Sequence, residues 1–96
     1  MKVSRALWVE KGVHPNSVRA IKRNKRSSQK LYIVCTSYHQ GMLFDIIESQ
    51  SISSKYEQSY MLAIARSKTK ALEQVYQLVD ALYNVKTTTY EALKTE

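Results

Sequence analysis

The sequence predicts a small α+β domain. It would hold a three-stranded antiparallel sheet, four-stranded if an N-terminal run joins it, with a C-terminal amphipathic helix packed on one face and a basic element in front. Three observations carry this expectation. Lys30 to Tyr38 and Met42 to Ser49 are two runs rich in β-branched and aromatic residues, separated by His39-Gln40-Gly41. That is the pattern of an antiparallel hairpin whose glycine can take positive φ in the turn. Leu72, Val75, Tyr76, Val79, Leu82 and Tyr83 recur at helical spacing, and a helix with such a stripe must bury it against another element. Finally, 96 residues, 44% apolar and 24% charged, suffice for one core and not for two.

The elements follow in chain order. Val3 to Glu10 contains Leu7, Trp8 and Val9 and is stopped by Gly12 and by His14-Pro15-Asn16, which fits a short strand, with a helical turn as its competitor. Asn16 or Ser17 can cap a helix from Val18 to about Arg26, since either side chain can accept from an orphaned amide. A strand from Ser17 to Arg23 is the competing reading. The hairpin comes next, then a serine-rich loop from Ser49 to Ser54, then a third strand from Gln58 to Arg66. The centre of that strand, Met61 to Ala65, is apolar on both faces, which suggests an interior position. The last long element runs from Ser67, as N-cap, to Val85, with Ala71 and Leu78 widening its stripe. Thr88 and Glu91 have capping-box spacing for a short terminal helix, with a frayed tail as the alternative. The chain thus reads as one domain. Residues 1–30 form a basic segment, 31–85 a β-β-β-α core, and 86–96 a tail or short helix.

Charge is where the sequence speaks about partners. Fifteen Lys and Arg against eight Asp and Glu give +7, and the surplus is not spread evenly. Residues 1–30 hold nine basic groups against Glu10 alone, a local +8, while residues 31–96 hold six basic and seven acidic groups. Arg19, Lys22, Arg23, Lys25, Arg26 and Lys30 fall within twelve residues that contain no acid. On a helix Arg19, Lys22, Arg23, Arg26 and Lys30 would share one face. Cations so placed can displace condensed counterions from a nucleic-acid backbone, so DNA or RNA is the expected partner. A solvated face that only keeps the chain soluble is the plain alternative. Arg66, Lys68 and Lys70, with the hydroxyls of Ser67 and Thr69, stand at the start of the last helix, where exposed amides and the dipole already attract anions, and Lys68 and Lys70 are the two expected to help in nucleic-acid contact.

A three-stranded sheet followed by a helix opening with Ser67, Lys68 and Ala71 resembles double-stranded-RNA-binding domains and the sheet-type DNA-binding domains of some phage and transposon integrases. The resemblance implies nucleic-acid contact near the start of that helix. The chain departs from the RNA-binding pattern in its loop Tyr38-His39-Gln40-Gly41, which lacks a proline.

Seven tyrosines could stack on unpaired bases. Tyr76 and Tyr83 are expected in the core. Tyr32 and Tyr38 share strand parity and are expected on the sheet face away from Leu31, Ile33 and Cys35. Such a tyrosine face, or an edge strand, supports the second reading: a protein-interaction or regulatory domain that pairs with itself or with an acidic protein partner.

Other functions have little to stand on. The longest apolar runs, Leu31 to Cys35 and Tyr60 to Ala65, are five and six residues, far below the roughly 20 that span a bilayer. Val18 and Ile21 offer too small an apolar flank for surface insertion. No membrane contact is expected, and with no secretory leader visible in residues 1–12 the expected location is the cytoplasm. One cysteine makes no internal disulfide, and Cys35 with His14 and His39 falls short of a structural zinc site. Cys35 lies mid-strand, where cysteine behaves as a small hydrophobe. Asp45 and Glu48 point to opposite faces of one strand, and two glycines cannot form a phosphate-cradling loop. No enzymatic activity, metal or cofactor is expected.

Overall fold

A computed structural model describes all 96 residues. In chain order it contains β1 (Lys2–Val9), α1 (Pro15–Lys22), β2 (Tyr32–Thr36), β3 (Phe44–Glu48), two short 3-10 turns (Ser49–Ser51 and Ser54–Tyr56), β4 (Tyr60–Ala65), α2 (Lys68–Tyr83) and α3 (Tyr90–Leu93). No helix is long and apolar enough to cross a membrane. The fold is α+β, as the sequence predicts, and the N-terminal run does supply a fourth strand.

The sheet is mixed, which corrects the expectation that all strands are antiparallel. Its order is β1-β4-β2-β3, with β1 parallel to β4 and the other two pairings antiparallel. A parallel neighbour needs a long crossover, and α1 with the β2-β3 hairpin supplies one before the chain returns as β4. The hairpin has an unbroken register, Tyr32 opposite Glu48 through Thr36 opposite Phe44, and Gly41 in its turn has φ +86°. β4 pairs with β2 and not with β3, so the three expected strands are not a meander.

β4 occupies an interior position, as its two-sided apolar pattern suggests, and Met61 to Ala65 are all buried. The β2-β4 register steps between Val34 opposite Ala63 and Cys35 opposite Met61. The bulge at Leu62 turns Leu62 and Ala63 to the same side, so Met61 and Ile64 join one apolar cluster while Leu62, Ala63 and Ala65 join the other. At the far side of β2, Ser49 is fully buried. Its amide donates to Leu31 O at 2.8 Å, and its hydroxyl accepts from Leu31 N and donates to Gln29 O. One serine thereby ends the hairpin and satisfies the backbone that the ladder leaves open.

Both faces of the sheet are covered. Ile33 and Cys35 of β2 lie with Ile21 of α1, Ile52 and Met61 in one cluster. Val34 lies with Leu62, Ala71 of α2 and Leu93 of α3 in the other. The expected bare tyrosine face therefore does not exist. Tyr32 is half-buried against the α2-side cluster, whereas Tyr38, beyond the end of β2, packs edge-on to Tyr56 of the α1-side cluster at 5.1 Å. Strand parity stops applying where the strand stops, after Thr36.

Helix α2 forms where expected, and Ser67 caps it by accepting from Lys70 N at 3.2 Å. Its buried stripe is narrower than the apolar stripe in the sequence. Ala71 is buried and Val75, Leu78 and Leu82 pack partly, while Leu72, Tyr76 and Tyr83 remain exposed, which corrects the placement of both tyrosines in the core. A helix lying on a sheet presents only one strip of its circumference to it, and this helix is apolar beyond that strip. The tail does carry a short helix. Its cap is Thr89, accepting from Ala92 N at 3.1 Å, and not Thr88. Tyr90 Oη donates to Leu43 O, and Arg5 N donates to Thr95 O, so the tail spans the sheet from the β3 side to β1.

Candidate nucleic-acid interface

The basic segment begins on α1. Pro15 stands at N1, where its fixed φ suits a helix and its missing N–H costs nothing. His14 is the N-cap residue and no side chain caps this end, so neither Asn16 nor Ser17 has the capping role expected of them. Ser17 is buried instead, one turn from Ile21, and the two hold α1 to the sheet. Asn16 accepts a hydrogen bond from the Arg19 guanidinium.

The helix ends earlier than expected, at Lys22. Asn24 has φ +58°, its amide donates to Ile21 O, and the Lys25 amide donates back to Ala20 O, both at 2.9 Å. This is a Schellman closure with asparagine in the left-handed position. Asn24, the one uncharged residue between Arg23 and Lys25, is a stop signal that charge counting passes over. In consequence Arg19 and Lys22 lie on the helix, Arg23 caps it, and Lys25, Arg26 and Lys30 lie beyond the turn. The single five-cation helical face does not form, because Arg26 and Lys30 are off the helix axis.

The electrostatics of the segment are simple. Arg19, Lys22, Arg23, Lys25, Arg26 and Lys30 are all exposed. None is within ion-pair distance of a carboxylate, and the one ion pair in the molecule is Lys70 with Glu73 at 3.4 Å. Cations at the C-terminal end of α1 also face the negative end of its dipole, which favours them there. Asn24 Nδ2 donates to Ser53 O at 2.9 Å and holds the turn against the segment after β3.

Lys68 and Lys70 belong to a different place. They open α2, on the face of the sheet opposite α1. Lys30 lies near them by register: Tyr32 stands opposite Ala65, so the residues before Tyr32 and those after Ala65 leave the same end of the sheet. Gln29 ties this end to the β1-α1 connection, donating to Gly12 O at 3.1 Å and accepting from His14 N at 3.0 Å. Gly12 has φ +99°, and a Cβ there would lie 2.9 Å from Arg66 Nη1, so the Arg66 side chain runs against a position that suits glycine. Lys11 and Arg66 thus join Lys30, Lys68 and Lys70 at this end, with Glu10 accepting from Arg66 N at 2.8 Å. Arg66 belongs to the cationic run that the sequence places at the start of α2, but Lys11 stands apart in the chain, since only strand pairing brings residues 10–14, 29–30 and 66–70 together.

The remaining candidates have structural surroundings. Cys35 is fully buried opposite Asp45, and its thiol is pushed up to about 12, first by burial and then by the Asp45 charge, so it is protonated at neutral pH and a poor nucleophile. One Asp45 oxygen is buried without a hydrogen-bond partner. Tyr56 is likewise pushed up to about 12 by burial and by Asp45. His39 is exposed in the hairpin turn with its ring 4.1 Å from that of Tyr38. No three His, Cys, Asp or Glu side chains come together as a metal-binding group. Compared with known proteins, the chain matches no family model, no curated protein and no solved structure.

Proposed function

We propose that the protein binds nucleic-acid phosphates through Arg19, Lys22, Arg23, Lys25 and Arg26, with Lys30, Lys68 and Lys70 extending the contact around the end of the sheet. The observation that carries this reading is that the six cations of residues 19–30 are exposed and free of carboxylate partners. Their charge is therefore available to an outside polyanion and is not neutralised within the fold. Contacts of this kind position a duplex or strand without reading its sequence, so affinity should differ little between sequences of equal length.

Fluorescence anisotropy with labelled single- and double-stranded DNA and RNA tests it. Binding should weaken steeply with salt, with a slope of about −0.9 per duplex phosphate contacted and about −0.7 per single-strand phosphate. Lys22→Glu with Arg23→Glu should lower affinity at least tenfold and flatten that slope. Unchanged binding by this double variant would remove the segment from the interface. Lys68→Glu with Lys70→Glu should have the smaller effect, since these two lie on the other side of the sheet.

A further inference from the structure

We infer that the outward face of α2 is the contact surface for a second copy of this chain, the two α2 helices lying side by side, parallel and in register. This does not depend on phosphate binding. α2 carries two apolar stripes of the same four-three-four spacing. Ala71, Val75, Leu78 and Leu82 pack on the sheet. Leu72, Tyr76, Val79 and Tyr83 follow one residue later, rotated by about 100° around the helix. In this second stripe Leu72, Tyr76 and Tyr83 are 38%, 69% and 58% exposed, and Val85 just beyond the helix is 59% exposed. Single apolar residues on a surface are ordinary, but a continuous row with the spacing of a coiled-coil seam is a docking edge.

Charge selects the occupant and its direction. Between Lys70 and Lys86 the chain has no cation, only Glu73 and Asp80, in a molecule of +7. Along such a stretch two like-charged copies meet with little repulsion. With the second stripe as the seam, Lys68 takes the g position and Glu73 the e position five residues later, which in a parallel pair sets Lys68 of each copy beside Glu73 of the other, a carboxylate that also faces Lys70 of its own chain at 3.4 Å. An antiparallel pair would instead bring the acids Glu73 and Asp80 of the two copies together. The exposed part of the stripe offers on the order of 400 Å² per copy, against about 800 Å² per partner in a standard interface. The pair is therefore concentration-dependent and not obligate. It is isologous and closes at two copies, and it leaves both basic segments outward, since α1 lies on the opposite face of each sheet.

Sedimentation of the full chain, from about 1 μM to about 1 mM, should show the mass rise from one chain to two. Tyr76→Glu should hold it at one chain with an unchanged far-ultraviolet circular dichroism spectrum. Leu72→Cys chains should oxidise to disulfide-linked dimers with one another, Cys35 being buried and no competitor. A single-chain mass at the highest concentration, a dimer untouched by Tyr76→Glu, or Leu72→Cys chains that link only to Tyr83→Cys chains would each overturn the inference. Anisotropy with nucleic acid is a separate readout, so failure here leaves the phosphate reading standing.

Discussion

Of the two helices that sandwich the sheet, α1 is eight residues long and presents cations, while α2 is sixteen residues long and presents apolar side chains. Each is held by different means. α1 is anchored by Ile21, fully buried, and closed by a Schellman turn, with no side-chain cap at its start. α2 is capped by Ser67 and fully buries only Ala71, spreading its contact over Val75, Leu78 and Leu82. A short helix with one deep apolar anchor, Ser17 being its only other buried residue, depends on that anchor. A long one with distributed contact tolerates the loss of any single residue and has apolar surface left over.

That contrast breaks most readily at Ile21. Ile21→Ala removes the deepest apolar contact of α1 and should cost about 2 to 5 kcal/mol in urea unfolding, whereas Leu72→Ala on the outer side of α2 should stay within about 0.5 kcal/mol. Equal costs would mean that α1 is not hung on one residue. Cys35, in the same α1-side cluster as Ile21, gives the next effect. Its thiol is raised by burial from 9.0 to about 12 in the folded chain, so the unfolded chain ionises first. The stability it contributes is whole below pH 9 and is lost as pH climbs toward 12, by up to about 1.4 kcal/mol per pH unit. Urea unfolding across that range measures this, and a thiol reagent at pH 8 should modify Cys35 only in denaturant. Fast modification of the folded chain would show the cluster to be open.

Two smaller substitutions sharpen the comparison at the helix ends. Asn24→Val puts a β-branched residue at φ +58° and removes the bond to Ser53 O. It should cost about 1 to 2 kcal/mol, and Asn24→Gly should recover most of the backbone part. Ser67→Ala should cost about 1 kcal/mol through the lost cap on α2. His14→Ser, offering α1 the cap it lacks, should gain a few tenths to about 1 kcal/mol. All are read from denaturant midpoints at constant slope.

Much of this fold was legible before any coordinates, wherever the signal is local. The hairpin around Gly41, the N-cap at Ser67 and the interior strand around Met61 to Ala65 each follow from residues close in sequence. The structure departs from these local patterns where the deciding partner is distant. Nothing within Lys2–Val9 says that its neighbour will be Tyr60–Ala65 in parallel, and nothing within α2 says how wide a strip the sheet will cover. At the candidate site, the density of cations in residues 19–30 was visible at once. Their division into a helical pair, a cap and a turn depended on Asn24, and the grouping of Lys11 and Lys30 with Arg66, Lys68 and Lys70 on strand pairing.

The order of residues along the chain set the composition of each surface: a +8 N-terminal third, an apolar hairpin, and a helix with more apolar residues than one face can use. These are properties of residue type and spacing, and they survive any arrangement of the elements. Tertiary structure decided which of those surfaces meet and which stay outside. It placed α1 and α2 on opposite faces, closed the tyrosine side of the sheet, left the cations of residues 19–30 without carboxylates and left Tyr76 and Tyr83 in the open. The physical reason is that burial and ion pairing are relations between segments far apart in the chain, set by strand order and register, whereas helix periodicity, capping and charge density are written within a few residues of one another.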